Sequence, residues 1–132
     1  MIELILGAWA VWVAFVVTSY LLGVLFMERQ RAPCCDGMRV HIPDWVPFML
    51  TSSELAAVVA HERGHMHYMH VWTNLALLCV FVWPSKERRR AQEWQADDYA
   101  ARAGHAKALA SAILKLGCHP DDVARADRLG AK

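Results

Sequence analysis

The residues best suited to chemistry form the run His61-Glu62-Arg63-Gly64-His65. On a helix, positions i and i+4 share a face, so both imidazoles can reach one ion. Glu62, one position on, lies beside that face and can hold a water on the metal. Shuffling this chain's own residues yields H-E-x-x-H with roughly 2% probability, so the pattern needs support from elsewhere. An open catalytic zinc site takes three protein ligands plus water. Glu93, 28 residues beyond His65, is the candidate third ligand. Asp97, at i+4 from Glu93, would face the same ion and accept the outer N–H of a ligating histidine. Each taken singly could be a solvated helix carboxylate. Following the motif at this distance, within the small-residue stretch AQEWQADDYAARA, they read as a ligand and its support.

These side chains need helices to carry them. Thr51-Ser52-Ser53-Glu54 opens one: Thr51 or Ser52 can act as N-cap, and Glu54 stands three residues after Thr51, the capping-box spacing. The pattern predicts helix from there to about Trp83, where Pro84 and Ser85 break it. A second helix is predicted over 86–103, ended by Gly104, a third over 105–116, ended by Gly117, and a short last one over 121–129. Ahead of them, 31–37 reads as a turn-rich linker and 38–42 as one short strand. The expected fold is mainly α, with at most this strand as an edge.

The chain has 132 residues, 56% of them hydrophobic, and a formal charge of +1. With no global field to attract polyanions, nucleic-acid binding is excluded as an expectation. The four cysteines, Cys34, Cys35, Cys79 and Cys118, contain no C-x-x-C pair and suggest neither a disulfide framework nor a cysteine zinc ribbon. The apolar excess is concentrated in residues 4–27, 24 consecutive uncharged positions. As a helix they reach roughly 36 Å, enough to cross a ~30 Å hydrocarbon core with some tilt. No basic stretch precedes the run and no A-x-A-like site follows it, which argues against a cleaved signal peptide. Arg29, Arg31 and Arg39 follow the run, so the positive-inside rule puts the amino terminus outside and the rest in the cytoplasm. The expected organisation is a transmembrane anchor over 1–27 and a metallopeptidase domain over 28–132. Its location would be the cell (inner) membrane, crossed once.

The stretch Ser53-Glu54-Leu55-Ala56-Ala57-Val58-Val59-Ala60-His61-Glu62-Arg63-Gly64-His65 resembles the catalytic helix of the HtpX and CAAX prenyl protease family of membrane zinc metallopeptidases. That family has E-L-x-A-V-x-A-H-E-x-G-H and then E-x-x-A-D on a later helix, which Glu93 to Asp97 match. Its carboxy-terminal H-P-x(4)-R-I-x-x-L element is similar to His119-Pro120, Arg125 and Leu129, with Ala126 at the usual isoleucine. The resemblance covers about 51–129 and implies a zincin-like, gluzincin-type core. It implies one Zn²⁺ held by His61, His65 and Glu93, with Glu62 as general base and Asp97 behind a ligand. It further implies that His119 and Arg125 stabilise the oxyanion or hold the substrate backbone. The implied partners are a polypeptide substrate and a lipid bilayer.

Members of that family have several spans, including a pair between the two zinc-binding helices. Here the interval holds one apolar stretch, 71–83, which at about 20 Å of helix is too short to cross. It is expected either to pack on the anchor or dip into the interface, or else to be buried in a minimal core. His67 and His70, at i+2 and i+5 from His65, are expected not to be ligands. For His119 and Arg125 the alternative is a turn cap and a surface ion pair with Asp121 or Asp122. The functional expectation is a membrane-anchored zinc endopeptidase acting on cytoplasmic or membrane-proximal polypeptides. The alternative is a catalytically silent zinc-binding regulatory membrane protein of the same fold.

Overall fold

A computed structural model describes residues 1–25, 32–117 and 121–130. The chain is mainly helical. The apolar run forms helix α1 (Ile2–Leu25), whose segment Ile2–Val24 is long and apolar enough to cross a membrane, a test that signal sequences also pass. Two short strands follow, β1 (Cys34–Cys35) and β2 (Val40–His41), paired antiparallel with Cys34 opposite His41. Their turn is closed by Asp36, whose Oδ1 accepts from the backbone N–H of Met38 and Arg39 at 2.7 Å each. Gly37 at φ +88° supplies the left-handed step. The strand expected over 38–42 thus shrinks to Val40–His41, and its partner lies in the stretch read as linker.

After the single turn α2 (Val46–Met49) comes α3 (Ser52–His67), with Thr51 as N-cap and a complete capping box to Glu54. Glu54 also accepts from Ser111 Oγ at 2.6 Å and Lys115 Nζ at 2.7 Å, which ties the start of α3 to a later helix. The long helix expected to reach Trp83 is broken: α3 stops at His67, Met69 takes φ +54°, and α4 runs over His70–Cys79. No glycine or proline marks the break. Ser85 caps α5 (Lys86–Ala100), accepting from Arg88 N–H. A π-helical turn over Ala101–His105, with Gly104 at φ +87°, redirects the chain into α6 (Ala106–Leu116). Gly117 ends α6 in the left-handed conformation, and α7 (Asp122–Gly130) closes the described chain.

The core mixes alanines with larger aliphatic residues. Ala57, Ala60, Ala100, Leu109, Ile113 and Leu129 form its main cluster, between α3, α5, α6 and α7. Alanine faces let helix axes approach closely, and that approach sets the geometry of the site between α3 and α5.

Candidate metal centre

Gly64 fixes how near α3 comes to α5. A Cβ at this position would lie 2.8 Å from Ala96 Cα and 3.1 Å from Tyr99 Cβ, so only a glycine allows this contact. The close approach brings the facing sides of α3 and α5 together. His61 Nε2 and His65 Nε2 stand 3.1 Å apart. Glu93 reaches both rings, with Oε2 3.4 Å from His61 Nε2 and Oε1 3.4 Å from His65 Nε2. His61, His65 and Glu93 are the group, among the described residues, whose ligand atoms converge closely enough to hold a metal ion. Each histidine thus meets a different oxygen of Glu93, and with one ligand atom taken from each residue the three lie within 4.8 Å of one another.

The two histidines are held from behind in different ways. His61 Nδ1 lies 2.9 Å from Asp97 Oδ1, at ion-pair distance though off the N–H axis. Asp97 is fully buried and is gripped by Arg125, whose Nε and Nη2 donate to its two oxygens at 2.9 and 2.7 Å. Arg125 Nη2 is also 3.1 Å from Glu93 Oε2, and Nη1 donates to Asp122 at 3.2 Å. Every face of this guanidinium is engaged by carboxylates. Arg125 thereby ties together the carboxylates of Asp97, Glu93 and Asp122 behind the metal group. The ion pair with Asp122 exists, but it is buried rather than on the surface. His119 lies outside the described residues.

His65 is backed by neutral groups. Its Nδ1 is 2.8 Å from His70 Nδ1, and His70 Nε2 is 2.9 Å from Gln95 Oε1. The Gln95 amide oxygen only accepts, so His70 carries its proton on Nε2 and accepts from His65 Nδ1–H. That leaves the lone pair of His65 Nε2 directed toward His61 and Glu93. His70 stays outside the ligand group, as expected, yet it sets the tautomer of one of its members. Its spacing of i+5 gives no hint of this contact; only the turn at Met69 creates it.

Electrostatics divide the site. Burial alone would pull His61 down, but Asp97 and Glu93 outweigh it and raise it to about 9. Burial, and then the charge on His61, push His65 down to about 4. Burial would raise Glu93, but His61 leads the contacts that hold it down at about 2. The carboxylates therefore favour positive charge at His61, and they lie where a cation held by the two rings would also be favoured. Glu62, buried beside them, is raised by that burial.

A cleft of about 830 Å³ opens on this group, walled by Pro33, Cys34, Val71, Lys86 and Arg89 together with Glu62. It is β1 that borders the cleft, so the edge expected at 38–42 moves to Cys34–Cys35. Burial and then the Glu62 charge raise the Cys34 and Cys35 thiols to about 11 and about 12, so both stay protonated and uncharged near neutral pH. The fold and the site together define a small helical protein with a candidate two-histidine, one-glutamate metal centre. Comparison with known proteins finds no matching family model, no matching curated protein and no matching solved structure.

Proposed function

We propose that the chain is a membrane-anchored zinc-dependent endopeptidase with a reduced zincin-like core, similar to the HtpX and CAAX prenyl protease family. The observation that carries this reading is the convergence of His61, His65 and Glu93, with Glu62 beside them on an open cleft. His61, His65 and Glu93 would hold the ion, which when bound acidifies water and polarises a carbonyl. Glu62, kept basic by burial, takes the proton of the attacking water and returns it to the departing amine. Among the described residues β1 has β2 as its one strand partner, so an extended polypeptide has the other edge to lie along. Asp97, Arg125 and His70 keep the ligands in place. With α1 as the span and the arginines after it inside, the catalytic domain faces the cytoplasm.

The test is purification of the full chain in detergent, metal quantification, and chelator-sensitive cleavage of an unfolded polypeptide. Glu62→Gln should bind about one zinc per chain and lose cleavage, since the ligands remain and the base is gone. Zinc binding without cleavage by the unaltered chain would establish the silent regulatory reading instead. Full turnover by Glu62→Gln would remove Glu62 as base.

A further inference from the structure

α4 descends along α1. At its start the Trp72 ring lies against Tyr20, with centroids 5.9 Å apart. At its end the carbonyls of Leu78 and Cys79 accept the indole N–H of Trp12 at 2.8 Å and of Trp9 at 2.9 Å. Trp12 is ten residues from Ile2, or roughly 15 Å along the helix axis, about halfway through a ~30 Å hydrocarbon layer. At that level the chain turns back. Phe81 takes φ +62° and stacks on Trp12 with centroids 5.1 Å apart. Phe81 N–H donates to Leu78 O at 3.1 Å and Val82 N–H to Leu77 O at 2.9 Å, the Schellman arrangement. The Leu77, Leu78 and Cys79 carbonyls thus each accept a hydrogen bond from within the protein.

The side chains of this turn are only partly covered by protein. Val80, Phe81, Val82 and Trp83 are 56%, 58%, 47% and 72% exposed, a continuous apolar tip beside the exposed faces of Trp9, Val11 and Phe15. The chain then becomes strongly basic, with Lys86, Arg88, Arg89 and Arg90, a composition suited to anionic headgroups. Lys86 and Arg89 are also part of the cleft wall.

We propose that residues 80–83 are inserted among lipid acyl chains beside α1, as a re-entrant tip that holds the mouth of the metal-centre cleft at headgroup level. The proposal rests on α1 being a span, and it places the substrate's cleavage site at the membrane surface. The occupant is lipid because the tip continues the apolar surface of α1 and its basic collar matches a charged interface.

The experiment uses the full chain in phosphatidylcholine vesicles, with and without bromine on mid-chain carbons of the lipid. The emission contributed by Trp83 is the difference between the unaltered chain and Trp83→Phe, and that of Trp9 is obtained likewise with Trp9→Phe. Bromolipid should remove most of the emission of both, while aqueous iodide leaves Trp83 unchanged. Quenching of Trp9 but not Trp83, with Trp83 open to iodide, overturns the re-entrant tip and leaves the span intact. Shielding of Trp83 from both quenchers means that a second copy covers it, which also overturns the proposal. Failure to quench either residue overturns the tip and the span together.

Discussion

Around the metal centre α3 and α5 meet through Gly64, Ala60, Ala96 and Ala100, and the buried charges of Asp97 and Arg125 find partners on neighbouring helices. Along the α1–α4 arm the contacts come from Trp9, Trp12, Tyr20, Trp72 and Phe81, of which Trp9 and Phe81 stay exposed. Small residues bring backbones close and leave side chains few positions, which suits ligands that must stay within a few tenths of an ångström of one another. Large rings fasten one helix loosely to another through their N–H groups and leave apolar surface over. The first region is self-contained. The second leaves apolar surface exposed.

The contrast can be broken most severely at Arg125. Replacing it by alanine takes from buried Asp97 the partner that bonds both its oxygens, and removing one partner of a buried pair costs about 3–5 kcal/mol. Denaturant unfolding in detergent should show that loss. Trp9→Phe, which deletes one indole hydrogen bond of the arm, should cost only about 0.5–1.5 kcal/mol. Comparable losses for the two variants would erase the distinction.

Gly64→Ala probes the close approach itself. Overpacking a tight contact costs about 1–3 kcal/mol, and α3 must retreat from Ala96 to accommodate the methyl group. Metal content should fall together with stability, because Glu93 moves with α5. An alanine variant with unaltered metal binding would show that the helices tolerate a wider gap than the ligand distances suggest.

A third test falls on His70. His70→Ala keeps all three ligands but frees the His65 tautomer, and losing such a supporting partner lowers metal affinity ~10–100-fold. Competition against a chromophoric chelator would measure it, with His67→Ala as the comparison. Equal affinity for the two variants would reduce His70 to packing.

The pairs His61–His65 and Glu93–Asp97 were legible because helical periodicity converts a spacing of four into a shared face. The apolar run of α1 was legible because length and composition alone determine whether a helix can span a bilayer. Thr51 and Glu54 announced the start of α3 for a similarly local reason: a capping box is closed within four residues. Each of these features needs no knowledge of where the rest of the chain goes.

The remainder was settled by tertiary contacts. Met69 adopts a left-handed conformation that its residue type does not favour, because the packing of α4 on α1 and α5 outweighs that local cost. With that turn His70 reaches His65; with a continuous helix it would not. Arg125 carries the spacing of a family element, but its role follows from Asp97, Glu93 and Asp122 converging on it from α5 and α7. β1 forms at Cys34–Cys35 only because β2 folds back to pair with it. The sequence by itself determined the local periodicities that create ligand faces, caps and the apolar helix. The tertiary structure decided which side chain stands behind each ligand, because these contacts join residues distant in the chain, or across a turn that no residue type announces.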